Sequence, residues 1–528
     1  MPGRSFAFEP LEQRVLCASI AVNLSQTYQT IAGLGGNYAR AKYGDFFIES
    51  NDKVGQYTLA NLQPKHARIG IPLRGWEPVN DDADPNSMNM AGFATTNTTV
   101  IGVFQLMQDL NSRGIPITAS VWDAPGWMVT DPTLKNQRVI PSSLYPEFIE
   151  SIASFLKRAD ETYGVKVDYL SLNEADGGFN LKFSATQQAS LIKLAGPLFS
   201  QLGLSYTPKW LVGDTGNASR LVNYATPILS DPGAAPYLGP ISFHGWDSLT
   251  YPDSTLTAIA ALGQQYNKPI WCEEVGYDAA ANVRTPLPFP AWDYAIKTAQ
   301  VYNRVITLAG VSVADYWEFD NDFPLLQTGP TVLYPAYYVT QTELASFTPG
   351  EQMVAANSDT ASILSMAATD GPSGRVVLQA INTAATDQTV TFSGLPTGIM
   401  MSLIRSSATE NAVNLGTLTA GDGTITLTLP ASSICTFSGI RPASARPPTQ
   451  DPTPIFPPPG GIVPIGVLLP PPDNSPPDDS QPPPDPLQSP PTWPQRKHPK
   501  PHQGHGGHPH HPSHAKPNPK KTAPGSSH

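Results

Sequence analysis

From about residue 30 to 340, short apolar runs alternate with stretches whose apolar positions recur at helical spacing. The runs are Ile31 to Gly36, Ala67 to Pro72, Pro116 to Trp122, Val167 to Asn173, Trp210 to Asp214, Ile241 to His244, Pro269 to Glu274 and Val311 to Trp317. Each has the length and composition of a buried strand. Between them, Tyr145 to Arg158 sets Phe148, Ile149, Ile152, Phe155 and Leu156 on one face, with Ser142 and Ser143 upstream as candidate caps. Thr99 to Leu110 and Ala291 to Ile306 repeat the pattern. Strand and helix in regular alternation predict an α/β fold, a (β/α)8 barrel, with a doubly wound open sheet as the rival.

From 345 to 440 the period changes to two. Val376 to Ile381, Thr389 to Phe392, Thr424 to Leu429 and Ile434 to Phe437 are short strands punctuated by Gly and Pro, which predicts a C-terminal β-sandwich. Residues 18–30 also alternate (Ile20, Val22, Leu24) and are expected to join that sandwich before the chain enters a barrel at 31–344. Residues 441–528 are Pro-rich and then His- and Lys-rich, a composition expected to be disordered. Arg496, Lys497, Lys500, Lys516, Lys520 and Lys521 follow the last acidic residue, Asp485. This end reads as a cationic tether to an anionic cell surface, as weak metal binding by its histidines, or as a solvated tail, the commonest case.

Composition narrows the function. The 528 residues carry a net charge of -11 with only 14% charged residues, so a nucleic-acid partner is not expected. Three cysteines far apart imply no disulfide framework and no thiolate zinc site. Only His66 and His244 precede the tail, which leaves little room for a three-histidine metal site or a Ser-His-Asp triad. No P-loop or dinucleotide fingerprint follows a strand, and no apolar run reaches the ~18 residues that span a bilayer. Residues 1–17 lack an ordinary signal peptide. Phe8 to Leu16 nevertheless resembles the short LEPR-xLL motif of exported bacterial proteins, with Gln13 at its proline; a disordered start is the alternative.

Two of the predicted strands end on a glutamate, Glu174 and Glu274. Parallel barrels carry their chemistry at the carboxyl ends of strands. Two carboxylates facing one another across a cleft suit glycosidic bond cleavage. Glu273 competes with Glu274. Strict alternation, with Ile270 and Cys272 inward, sends Glu274 into the barrel and Glu273 toward the helices.

By order and spacing the chain resembles glycoside hydrolase family 30, of the clan of retaining (β/α)8 glycosidases. Tyr28 to Gly36, Ala67 to Pro72, Ser120-Val121-Trp122-Asp123-Ala124-Pro125-Gly126-Trp127-Met128 and Leu429 to Ser433 carry the resemblance, over roughly residues 20 to 440. It implies that Glu174, ending the fourth strand, is the acid and then the base, and that Glu274, ending the seventh, is the nucleophile. Arg68 is then expected to keep Glu274 ionised, or to be an ordinary barrel ion pair. Asn173 is expected on the sugar 2-hydroxyl, and His244 on a carboxylate or a sugar hydroxyl unless it is a core histidine. Trp122, Trp246 and Trp317 are expected as pocket walls, while Trp76 and Trp127 fall either way. The family often has Asn-Glu-Pro, where Ala175 stands here. It often has His-x-Tyr after the sixth strand, where His244-Gly245-Trp246 stands here, which leaves the substrate class open. The chemistry needs no metal or organic cofactor, and its partner is a carbohydrate. The rival readings are an inactive carbohydrate-binding barrel, a neighbouring clan family and, distantly, an acyl hydrolase, for which no nucleophile elbow stands out.

Overall fold

The computed structural model describes residues 18–442, apart from 43–44, 49–52, 320–322 and 328–331. The export-type segment, Cys17 and the basic tail lie outside the described residues.

Eight parallel strands close into a barrel. In chain order they are Gly33–Asn37, Ala67–Gly70, Ile117–Val121, Tyr169–Leu172, Lys209–Thr215, Leu238–His244, Ile270–Val275 and Val311–Tyr316, called barrel strands one to eight below. Strand eight pairs with strand one, Val313 opposite Gly33, so the sheet has no edge and the open-sheet alternative is excluded. The helix read at 145–158 runs Tyr145–Tyr163 and ends at Gly164, whose φ of 68° a glycine adopts without a Cβ clash. Ser142 and Ser143 do not cap it: they form a 3-10 turn, and no side chain caps the helix.

The barrel interior is filled in tiers, ordered along the strands. The lowest is apolar, with Leu211, Trp271 and Val313 packed on Tyr169. Above it sit His66, Thr118, Glu273 and Asp315, all buried. The uppermost holds Arg68, Ser120, Asn173, Asp214, His244 and Glu274, also buried. Apolar side chains of the opposite parity, such as Ile69, Leu170, Val212 and Cys272, pack outward against the helices.

Two short two-stranded sheets, Ala39–Lys42 with Asp45–Ile48 and Leu326–Gln327 with Val332–Leu333, stand apart, and nine further strands form one sheet that includes Ala18–Thr30. That strand pairs antiparallel with Gln352–Ser358 and parallel with Gln388–Ser393. Phe392 meets Phe437 with ring centroids 5.0 Å apart, although four strands separate them in the sheet order. The sheet therefore folds over on itself as a sandwich. Trp292 of a barrel helix donates its indole N–H to the Ser432 carbonyl at 2.8 Å, and Gln379 of the sandwich donates to Glu343 Oε1 at 2.8 Å, tying the two layers together.

Candidate active site

The acidic groups of the upper tier share a property: each sits where regular strand geometry fails. Along barrel strand four, Leu170 and Leu172 face the helices, so Glu174 would follow them outward. Its φ of 45° turns the chain instead. Its N–H donates to the Asp214 carbonyl at 3.0 Å, and its own carbonyl accepts from Gly177 and Gly178. Asp214 has φ 49°, at a bulge between Gly213 and Thr215. On strand seven, Cys272 pairs with Phe243 and Glu274 with His244, so one extra residue is inserted. Both glutamates of this strand consequently face the barrel interior. The alternation reading of Glu273 is thus corrected: Trp271 and Glu273 are the regular inward residues, Cys272 points outward, and the bulge brings Glu274 inward as well.

Arg68, fully buried, organises the floor. Its Nη1 lies 2.6 Å from Glu274 Oε1, and its Nη2 lies 2.7 Å from both Asn173 Oδ1 and Asp214 Oδ2. Its Nε donates to Ser120 Oγ at 2.8 Å, and the guanidinium stacks 4.4 Å above the Trp122 ring. Asp214 also accepts from Ser171 and, at 3.0 Å, from Ser242.

His244 joins the carboxylates. Its Nδ1 is 3.1 Å from Glu174 Oε1 and 3.1 Å from Glu274 Oε2, and its Nε2 is 3.2 Å from Asp214 Oδ1. Burial works against its charge, but Glu274, Asp214 and Glu174 raise its pKa well above the ordinary value, so it is an imidazolium with both N–H groups donating. Burial alone would likewise raise Glu274. His244 and Arg68 outweigh it and hold the carboxyl below its ordinary value. Asp214 is depressed further by Arg68 and His244 against the same burial. Two cations thus face two carboxylates, and Glu174 completes the group. One oxygen of Glu174, one of Glu274 and a His244 nitrogen all lie within 4.8 Å of one another.

The Trp246 indole N–H donates to Glu274 Oε2 at 3.0 Å, and its ring fits over Gly276, where a Cβ would come within 2.2 Å of it. Trp317, partly exposed, leans on buried Trp122 with centroids 5.9 Å apart. Trp76 is core: it is fully buried between Phe93 and Phe155 and donates to Ser154. Trp127 is half-buried and donates to the Glu77 carbonyl at 3.1 Å. A groove of about 280 Å³ opens beside Glu174, lined by Asn136, Gln137, Phe179, Asn217 and Arg220.

Glu174, Glu274, Asn173, Arg68, Trp122, His244 and Trp246 therefore meet in one place, with Trp317 against Trp122, whereas Trp76 lies in the core and Trp127 on the Glu77 carbonyl. Asp214 and the three serines were missed. Asp214 carried the signal used for the two glutamates, a predicted strand ending on a carboxylate. The serines carry none.

No family model matches the chain. Its fold is that of a glycoside hydrolase family 30 subfamily 8 xylanase from Clostridium acetobutylicum, at TM-score 0.63 and 20% identity over 80% of this chain and 99% of that one. A GH30 endoxylanase from Clostridium papyrosolvens C71 is similar at TM-score 0.63 and 19% identity, over 80% of this chain and 100% of that one. In sequence the chain is 22% identical, over 265 residues, to the Caenorhabditis elegans protein named "Putative glucosylceramidase 4", covering 45% of this chain. The chain spans about half the length (50% and 48%) of the curated relatives it matches. The solved structures carry the family name that the sequence motifs resemble. No helix among the described residues is long and apolar enough to cross a membrane.

Proposed function

We propose that this chain is a family 30 glycoside hydrolase that cleaves a polysaccharide or another β-glycoside with retention, by double displacement. The observation that carries the reading is the approach of a Glu174 oxygen to within 4.8 Å of a Glu274 oxygen across the barrel mouth. That spacing favours the close carboxyl pair of retaining enzymes, ~5–5.5 Å, over the ~6.5–9.5 Å that leaves room for a water in inverting ones.

Glu274 is the nucleophile. Held ionised by His244 and Arg68, it attacks the anomeric carbon while Glu174 gives its proton to the departing glycosidic oxygen. The sugar is then esterified to Glu274. Glu174, now a carboxylate, takes a proton from a water that attacks the same carbon and frees Glu274. Asn173, fixed by Arg68, is placed for the sugar 2-hydroxyl. The Trp317 face and the groove beside Glu174 offer stacking and polar surface on either side of the scissile bond. The basic tail and the export-type start fit a secreted or cell-surface protein.

The test is hydrolysis of a panel of β-1,4-xylan, β-1,6-glucan, glucosylceramide and aryl β-glycosides by the wild type, Glu174→Gln and Glu274→Gln. Cleavage by the wild type, lost in both variants and releasing a product of β configuration by NMR, is the expected result. Binding without cleavage would make the chain a carbohydrate-binding barrel. Release of the α-anomer would exclude double displacement.

A further inference from the structure

The barrel and the sandwich meet along a groove at the end of the barrel opposite the active site. Pro269 and Gly310, which immediately precede strands seven and eight, line one part of it. The sandwich strands Gln352–Ser358 and Ile363–Asp370 line the other. The two parts have volumes of about 720 and 360 Å³ and adjoin at Tyr28, Gln29, Thr307 and Leu308, which line both. Each falls within the ~300–1,000 Å³ of small-ligand sites.

Tyr28 stands where the two parts join and is 52% exposed. The register of its strand against Gln352–Ser358 slips between Asn23 and Thr30, and an irregularity of that kind re-aims a side chain. The residue is nonetheless fixed. Its hydroxyl accepts from Gln26 Nε2 at 2.8 Å, and its carbonyl accepts from Gln352 Nε2. Beside it, Gln29 Nε2 donates to the carbonyls of Ile306 at 2.7 Å and Val311 at 3.1 Å, which pins the strand to the barrel. A ring held this firmly and left half in solvent is a platform rather than part of the core.

The charges along the groove are spent within the protein. Arg304 pairs with Asp253 at 2.8 Å, and Lys268 Nζ donates to the Leu238 carbonyl at 2.7 Å. What remains is neutral. Gln264, Asn267 and Asn357 present exposed amides. Asn303, only 4% exposed, stands in the wall with a side-chain nitrogen that has no hydrogen-bond partner. An unpaired donor there favours a ligand that brings acceptors. An aromatic face beside uncharged donors and acceptors suits a sugar, whose apolar C–H face stacks while its hydroxyls hydrogen-bond.

We propose that this groove is a second glycan-binding site, in which Tyr28 holds a stretch of neutral polysaccharide away from the barrel mouth. Lying at the other end of the strands from Glu174 and Glu274, it cannot grip the sugar being cleaved. It keeps the enzyme on the polymer between cleavages. The choice of polysaccharide as ligand rests on the proposed hydrolase reading.

The test is affinity electrophoresis of the full chain in native gels cast with uronate-free β-1,4-xylan or β-1,6-glucan, neutral polymers that offer the basic tail no charge. Glu174→Gln is the parent, so that the gel is not digested. The expected result is retardation of the parent, an apparent Kd raised at least fivefold by adding Tyr28→Ala, and a Kd within twofold on adding Tyr28→Phe, which keeps the ring. With Glu174 intact, Tyr28→Ala should slow hydrolysis of the insoluble polymer and leave hydrolysis of an aryl β-glycoside within twofold. Thr257→Arg, on the exposed face of the neighbouring helix Asp253–Tyr266, narrows the groove from its other wall and should give the same loss, so it decides the matter if Tyr28→Ala does not fold. Equal retardation of parent and variants, or no retardation of the parent by either polymer, would overturn the site. Retardation that depends on Tyr28 in a chain that cleaves nothing keeps the site and rejects the hydrolase. A chain that cleaves the polymer with retardation indifferent to Tyr28 and Thr257 keeps the hydrolase and rejects the site.

Discussion

Trp246 and Glu274 are joined by an indole N–H donated to Oε2 at 3.0 Å, from the position where the family resemblance implies a tyrosine. The larger ring reaches the carboxylate from the wall of the pocket, and it has room because residue 276 is glycine. In the proposed mechanism this donor stabilises Glu274 as a carboxylate and then as the leaving group of the second step. Trp246→Phe removes the donor and also shrinks a ring packed on Phe323. A hydrogen bond to a charged group is worth roughly 1.5–3 kcal/mol, so kcat/KM should fall ~10–100-fold. The melting temperature should fall modestly, by the packing lost with the smaller ring. Steady-state kinetics on the substrate the panel identifies, with a parallel melt, checks both.

Gly276 gives an independent handle on the same contact. A Cβ there would sit 2.2 Å from the Trp246 ring, so Gly276→Ala must displace the indole. Activity should fall at least as far as in Trp246→Phe, and the double variant should be no worse than Gly276→Ala alone, because both changes break one interaction. An additive loss in the double-mutant cycle would show that the two residues act separately.

His244 sets the acid limb of activity. Its positive charge is the leading influence that lowers Glu274 against burial, followed by Arg68. Glu274 must be ionised to attack, so activity disappears as pH falls through its pKa. Removing the imidazolium in His244→Asn leaves Arg68 and the Trp246 N–H to oppose burial, and the Glu274 pKa must rise. The acid limb of kcat/KM should therefore move to higher pH, by about one unit or more. A pH–rate profile of this variant measures the shift; an unmoved limb would assign that limb to another group.

How much was legible in the sequence follows from where the strands are regular. The eight barrel strands and the main sandwich strands were readable because burial on both faces demands continuous apolar runs and a half-exposed sheet demands alternation. Glu174, Asn173 and Arg68 were readable because a polar residue at or in a buried strand needs a reason. Glu273 was misread because a period of two has no means of expressing a bulge, and strand seven has one at that point. Asp214 ends a predicted strand as the two glutamates do, but the positive-φ turn that brings it into the site is announced in Val212-Gly213-Asp214 only by the glycine.

Glu273 and Glu274 should separate cleanly in function. Glu273 lies one tier lower, 3.6 Å from Arg68 Nε and 3.3 Å from the Thr118 hydroxyl, out of reach of a sugar at the barrel mouth. Burial, opposed by His66, leaves its carboxyl at about 8, so it is protonated at neutral pH and Gln mimics it. Glu273→Gln should keep activity within ~10-fold at pH 6, while Glu274→Gln should lose ~10⁴-fold or more. The reverse pattern would move the nucleophile to Glu273.

Glu343 predicts the alkaline behaviour of the fold. It is buried between the last barrel helix and the sandwich, accepts one hydrogen bond from Gln379 on Oε1, and has no partner on Oε2. Burial pushes its carboxyl up to about 8, with only Gln379 acting against that. In the unfolded chain the same group titrates near 4.5. Between those two values the folded state binds the proton and the unfolded state does not. Stability from this group is therefore complete below about pH 4.5 and is lost as pH rises through 8. Glu343→Gln keeps the acceptor for Gln379 and cannot ionise. The variant and wild type should have similar melting temperatures near pH 5 and diverge steadily above it. By pH 8 the variant should lead by at most about 5 kcal/mol, a difference that relaxation around the ionised group will reduce. Melts across pH 5 to 9 measure the divergence directly, and parallel curves over that range would mean that Glu343 is already ionised in the folded protein.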